Sequence, residues 1–292
     1  MALLKGLDKR QKIRYLTILL GIFLFITPFG LLPQYIGENG FCGTYCPRMF
    51  WMIRPDTTPS SFIVGIVRSY GGVILVVGIV IVSFFFGRYW CSHVCPIGGV
   101  TEIGSKVIPD GVKLNYSTVP ASAVRYGYLS VYLIAPIFAI GSLCCNYCNF
   151  AAVPRLLGAP FNSADMAYFL RTAGIINLGL IAILGFLAKG GRAYCNMLCP
   201  IGALDALSNK IGSRLGFTKR MGIEANKCDG CGICIKSCPT WAITGEDKLV
   251  KINQFSCIPC KECMMVCPKN AIYYRKGGRE IDDTGFTINH QL

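Results

Sequence analysis

Apolar residues fall in four long blocks, at 15–32, 62–87, 124–143 and 166–188, with polar and charged residues between and after them. At about 1.5 Å per helical residue, each block is long enough to cross a hydrocarbon layer of about 30 Å. The pattern predicts an α-helical membrane protein with four transmembrane helices. Arg68 and Gly71-Gly72 interrupt the second block, and Arg171 sits inside the fourth. A basic start followed by an apolar run also suits a signal peptide. Pro33-Gln34-Tyr35 follows the first block, however, where a cleavage site needs small residues, so the block is read as an uncleaved span.

Composition agrees with this reading. Of 292 residues, 53% are hydrophobic, and the mean hydropathy of +0.49 is too apolar for a soluble chain of this size. The cations set an orientation. Lys5, Lys9, Arg10, Lys12 and Arg14 precede the first block, Arg88, Lys106 and Lys113 lie between the second and third, and Arg125 stands at the start of the third. The alternate segments, 33–61 and 144–165, hold only Arg48, Arg54 and Arg155. By the positive-inside bias, the N-terminus and the polar C-terminal part lie in the cytoplasm, and the chain is a multi-pass protein of the cytoplasmic (inner) membrane.

The membrane part repeats itself. Gly87-Arg88-Tyr89-Trp90-Cys91-Ser-His-Val-Cys95-Pro96-Ile97-Gly98 recurs 104 residues later as Gly191-Arg192-Ala193-Tyr194-Cys195-Asn-Met-Leu-Cys199-Pro200-Ile201-Gly202. The first and third blocks end in Cys42-Gly-Thr-Tyr-Cys46-Pro47 and Cys144-Cys-Asn-Tyr-Cys148-Asn149. Each half, about 10–100 and 120–202, is span, C-x3-C, span, C-x3-C-P-I-G. Two spans per half keep the halves parallel.

Helical i, i+4 spacing turns both thiols of a C-x3-C to one side. Topology then gathers Cys91, Cys95, Cys195 and Cys199 at the inner face and Cys42, Cys46, Cys144 and Cys148 at the outer. Each set is expected to cage an iron–sulfur cluster. The competing readings are a disulfide on the oxidising outer side, another soft metal, or plain packing. Arg88 and Arg192, each three residues before a Cys, are candidate cofactor-binding residues that offset cluster charge; the competing role is snorkelling to the membrane surface. Asn149 stands where the other runs have Pro, and Cys145 is left over.

The remaining cysteines form the densest signal. Cys228, Cys231, Cys234 and Cys238-Pro239 make one C-x2-C-x2-C-x3-C-P run; Cys257, Cys260, Cys263 and Cys267-Pro268 make a second. This resembles the bacterial ferredoxins, small α+β domains with two 4Fe-4S clusters. The resemblance implies that the first cluster takes Cys228, Cys231, Cys234 and Cys267, and the second Cys257, Cys260, Cys263 and Cys238. Zinc knuckles are the dull alternative. Such thiolates must stay reduced, which again indicates the cytoplasm. Each four-thiolate cluster carries roughly −2, so the formal net charge of +14 is largely offset and nucleic acid is not an expected partner.

Other carriers lack their ligands. His93 and His290 are the only histidines, no C-x-x-C-H is present, and no strand–GxGxxG–helix unit occurs, so haem, flavin and nucleotide are not expected. The domain boundaries follow: a membrane domain at 1–202, an interfacial linker at 203–225, the ferredoxin at 226–275 and a tail at 276–292.

Taken together, the two GR-x-[YW]-C-x3-C-P-I-G motifs, four spans and a C-terminal ferredoxin resemble the NapH/NosR-type membrane ferredoxins over residues of about 10 to 275. The resemblance implies a quinol dehydrogenase component, working in a hetero-oligomeric complex with a periplasmic iron–sulfur protein or cytochrome. A cytoplasmic electron donor is the other source of electrons. Arg68, Arg125 and Arg171 are candidates for a quinone pocket because ionisable residues in spans are costly. The alternative functions are an accessory protein that reduces a metal or cofactor during assembly of another enzyme, and a redox sensor.

Overall fold

A computed structural model describes residues 8–26, 57–68, 70–138, 147–246, 249–276, 280–281 and 286–288. Its N-terminal part, the expected membrane domain, is built from two similar halves. In the first half, α1 (Lys9–Phe25) is followed by α2 (Pro59–Arg68), α3 (Tyr70–Phe86), the five-residue α4 (Tyr89–His93) and α5 (Pro96–Val107). The second half runs α6 (Ala121–Ile134), α7 (Asn149–Gly158), α8 (Ser163–Phe169), α9 (Thr172–Ile181, prolonged by a π turn at Ala182–Phe186), α10 (Ala193–Met197) and α11 (Pro200–Ser213).

The repeated motif folds alike both times. Gly87 and Gly191 take left-handed φ values of 77° and 69°, which a side chain resists. They turn the chain from the long helix into α4 or α10. Cys95 and Cys199 then stand at the N-caps of α5 and α11, with Pro at the first helical turn, where its missing N–H costs nothing. The halves interlock: α11 packs on α3, and α5 packs on the π turn that ends α9.

The fourth apolar block, the segment 144–165 and the stretch 203–225 each depart from expectation. Among the described residues no single helix is long and apolar enough to cross a membrane. The fourth block is not one straight span, because Ser163–Phe169 and Thr172–Phe186 meet at a bend of 84°. Arg171 has extended backbone there, and a Cβ on Gly174 would stand 2.0 Å from the Tyr168 carbonyl oxygen, so the tight corner needs glycine. The segment 144–165, expected as an outer connection, is not merely peripheral either, since within it α7 packs into the core. Ala152 and Val153 of α7 are buried with Ile26, Cys95, Ile97 and Ile181, which brings α7 back beside α5 and α9.

The third departure concerns 203–225. Its first part is α11, whose Ala203, Asp205, Ala206 and Asn209 are buried rather than laid on a membrane surface. Its last part is β1 (Arg220–Ile223), paired antiparallel with β4 (Ile272–Arg275), so the ferredoxin sheet reaches back before residue 226. A second sheet has the order β2 (Ile243–Glu246), β3 (Leu249–Asn253), β6 (Phe286–Ile288), β5 (Glu280–Ile281). Between the strands lie α12 (Ile233–Ser237) and α13 (Glu262–Val266). The part read as a tail thus supplies two strands.

The two parts are clamped together. Gln11 Nε2 donates to the Cys260 carbonyl at 2.8 Å, Arg125 Nη1 to Phe255 O at 2.8 Å, and Tyr274 OH to Phe86 O at 2.7 Å. Arg220, buried, donates to Ser83 O and Phe84 O at 3.0 and 2.8 Å. Arg125 is therefore a bolt between the third apolar block and the ferredoxin, not part of a ligand pocket. Arg171 is exposed, and the Arg68 side chain lies outside the described residues.

Candidate iron–sulfur sites

In the ferredoxin domain, Cys228, Cys231, Cys234 and Cys267 line one pocket, together with Gly232, Val250 and Ile272. Two sequence runs are brought together here, as the ferredoxin pattern requires. Cys267 and Cys238 each accept a backbone N–H four residues on, from Ala271 and Ala242 at 3.3 Å. Such donors favour the thiolate over the thiol. Burial pushes the Cys234 thiol up to about 11, with Cys228 adding to the effect.

Cys238, Cys257, Cys260 and Cys263 form the second group. Cys257, Cys260 and Cys263 are buried, and Cys238 is half-buried. Burial pushes the Cys260 thiol up to about 12, with Glu262 and Cys238 raising it and Arg14 opposing. Three buried thiols and a half-buried one in a single group resist ionising together; a cationic iron cluster would supply the charge that lets them.

The membrane repeat makes a third group. Cys91, Cys95, Cys195 and Cys199 line one pocket, walled by Trp90, Ile97, Phe150, Arg192, Tyr194 and Ile201. Both halves contribute two cysteines. Among the described residues no three His, Cys, Asp or Glu side chains converge on the position of a single metal ion. The four thiols line the wall of one shared space, two from each repeat. In its thiol form Cys91 donates to Asp205 Oδ2 at 3.0 Å, and Cys199 Sγ accepts the Gly202 N–H at 3.3 Å.

Arg88 and Arg192 are each 1% exposed, so neither snorkels to a surface. Arg88 pairs with Asp205 at 3.0 Å and donates to Phe255 O at 3.2 Å. Arg192 pairs with Glu102 at 2.7 Å and donates to the Cys91 carbonyl at 2.7 Å. Glu102 is shared with Arg14, at 2.6 Å, and with the Tyr15 hydroxyl, at 3.0 Å. Sequence reasoning missed Glu102, Asp205 and Arg14. The signal for the first two was present: an acid in the second turn after each C-P-I-G, at nearly matching repeat positions.

The groups adjoin. Cys91, Ile258 and Cys260 form one buried cluster, against which Trp90 packs. On the other side, Tyr194 donates its hydroxyl proton to Tyr147 O at 2.9 Å and accepts the Asn149 N–H at 3.3 Å. Cys148 between them is 2% exposed. Cys42, Cys46, Cys144 and Cys145 lie outside the described residues. His93 does not face the cage; its ring stacks on Tyr89 with centroids 3.8 Å apart.

Residues 69–115 and 171–218 match the family described as a 4Fe-4S binding domain, and 227–276 match a 4Fe-4S dicluster domain. The first pair of matches contains the cage cysteines. The chain is 24% identical over 265 residues to the ferredoxin-type protein NapH of Escherichia coli, which covers 86% of this chain and 83% of that one. It is 28% identical over 167 residues to the methylamine utilization ferredoxin-type protein MauN of Methylobacillus flagellatus, 56% of this chain and 53% of that one. YccM of Escherichia coli is 27% identical over 205 residues, or 67% of this chain, and the match spans only 53% of YccM. No solved structure matches the chain.

Proposed function

Starting from a NapH-like 4Fe-4S ferredoxin-type protein, we propose that this chain is a membrane electron-transfer subunit. It would carry single electrons between quinol or a cytoplasmic donor and a periplasmic redox partner, within a hetero-oligomeric complex. The observation that carries the reading is the adjacency of the cysteine groups. Ferredoxin, cage and Cys148 follow one another through Ile258 and Trp90 on one side and Tyr194 on the other.

Bound 4Fe-4S clusters supply one-electron carriers whose potentials follow their hydrogen bonds and exposure. The chain's own residues set those conditions. Cys228, Cys231, Cys234 and Cys267 would hold the first, and Cys238, Cys257, Cys260 and Cys263 the second. Cys91, Cys95, Cys195 and Cys199 would hold a third, with Arg88 and Arg192 beside them as fixed positive charge. Cys42, Cys46, Cys144 and Cys148 would hold a fourth.

Membrane residence is part of the proposal. Large apolar side chains stand exposed on α1 (Leu16, Leu20), α3 (Ile74, Ile81) and α9 (Ile175, Ile183). Faces of this kind on several helices need lipid or a partner to cover them.

The test is iron and acid-labile sulfide per chain, with EPR on the reduced protein, for the wild type and a Cys42→Ser/Cys144→Ser variant. About sixteen irons, falling by about four in the variant, is the expected result. About eight irons in both would leave a ferredoxin on a membrane anchor and end the proposal of a membrane-crossing path.

A further inference from the structure

The electron-transfer reading leaves open where a soluble partner meets the chain, and the ferredoxin's two cysteine groups differ sharply in access. Cys257, Cys260 and Cys263 are buried, and Cys260 is sealed in with Cys91 and Ile258. Cys231 is exposed, and Cys228 and Cys267 are half-buried. The group that faces solvent is therefore the one remote from the cage cysteines.

The surface around it has a definite character. Ile233, 44% exposed, and Lys269 line the same cavity as Cys231. Lys236 is exposed on α12, three residues beyond Ile233. Lys227 and Arg275 both pair with Glu224, at 2.6 and 3.3 Å, and Glu224 is joined through its N–H to Ala271, another lining residue. Asp229 accepts the Cys231 N–H at 3.3 Å, so its carboxylate is partly engaged. Lys269 in the cavity lining and Lys236 on α12 thus stand beside the exposed cysteine's group with one large aliphatic side chain, while Lys227 and Arg275 share Glu224 nearby in the fold.

We propose that this face, centred on Ile233 and rimmed by Lys236 and Lys269, docks a soluble one-electron carrier with an acidic surface. A small apolar contact inside a ring of one charge suits a brief encounter: opposite charge speeds approach, and the small area lets the partners part. In each encounter the carrier loses one electron and the ferredoxin domain gains it. No bond is made or broken, and the reverse encounter returns the electron.

The experiment titrates the full, cluster-loaded chain in detergent with oxidised flavodoxin, an acidic flavoprotein carrier, by calorimetry. Binding is expected at low salt and should weaken at least about tenfold between roughly 20 and 300 mM salt. Lys236→Glu/Lys269→Glu should weaken it at least about tenfold at low salt, and the Lys→Gln pair by less. Lys9→Glu/Lys12→Glu, which reverses two exposed charges on α1, should bind as wild type. Reduction by flavodoxin hydroquinone should slow in step with binding, whereas reduction by the small methyl viologen radical cation, which gives up one electron without docking, should not change. Absence of binding to wild type, indifference to salt, or equal weakening in both reversed pairs would each overturn the surface. Those results leave the electron-transfer reading standing if the reduced viologen still reduces every cluster by one electron. Incomplete reduction by viologen would count against that reading, while calorimetry alone would still decide the surface.

Discussion

Arg192 Nη1 lies 2.0 Å from where a Cβ on Gly98 would stand, and the Cys195 sulfur lies 3.3 Å from the same point. The repeat answers in kind: Arg88 Nη2 lies 3.3 Å from the Cβ position of Gly202, which also meets the Cys195 carbonyl at 2.7 Å. Each arginine crosses from its own half to the C-P-I-G glycine of the other. The glycines are small so that a cation can reach the cage.

Gly98→Ala should accordingly push Arg192 off its seat. The guanidinium is pinned by Glu102 and the Cys91 carbonyl, so it cannot yield freely. Overpacking of this kind costs about 1–3 kcal/mol. Gly78→Ala, where nothing lies within 4 Å, should instead hold or gain up to about 1 kcal/mol of helix stability. Denaturant melts of the two variants compare them directly; equal stability would contradict the account of Gly98.

Arg88→Gln and Arg192→Gln test the electrostatic role. Removing a buried positive charge beside the cage disfavours the added electron. The midpoint potential of the cage signal should fall by roughly 60 mV or more, a tenfold change for a one-electron couple. EPR-monitored titration measures it, and the exposed ferredoxin group, Cys228 to Cys234, serves as the internal reference that should not move.

Glu102 supports a prediction about pH. Burial alone would raise its carboxyl, but Arg14 and Arg192 outweigh burial and hold it down to about 2. A carboxyl lower in the folded than the unfolded state stabilises fully above its ordinary value near 4.5, and the contribution is lost as pH falls toward 2. Glu102→Gln strands two buried guanidinium groups and should cost about 3–5 kcal/mol at neutral pH. Its melting temperature should then fall less steeply than that of wild type across the acid window. Parallel curves would show that Glu102 is not the titrating group.

How much of this the residues declared in advance varies by region. The GR and C-P-I-G repeats announced the pairing of cage cysteines across the halves, because identical spacing folds into the same helix–turn–helix twice. The bend at Arg171 was hidden, since an apolar block reads the same whether straight or broken; only Gly174 hinted at close backbone. The return of α7 beside Cys95 was hidden for a related reason. Ala151, Ala152 and Val153 carry no charge to mark a side of the membrane, and their depth is set by contacts distant in sequence. Asn149, in the place of the expected Pro, was the clue that this run differs from its counterparts.

Tyr194→Phe probes that region. The ring stays and the hydroxyl's bonds to Tyr147 O and the Asn149 N–H are lost, at a cost of about 1 kcal/mol. The expected outcome is faster alkylation of Cys148 in the reduced, metal-free chain, read by mass spectrometry, with no change at Cys231, which is already exposed. An unchanged rate at Cys148 would mean that Tyr194 does not hold that turn.

Six residues, 214–219, join α11 to β1, yet both ends of this short connection are fixed by buried contacts from Arg220, Asn209 and Arg125. A domain held in this way is not an interchangeable module. A foreign ferredoxin grafted after residue 219 would keep the covalent join and lose β1, Gln254 and the carbonyl of Phe255, which are what α3, α6 and α11 grip. Swapping modules between relatives of this chain would therefore have to carry the gripping side chains along, so that the two parts are inherited as one unit.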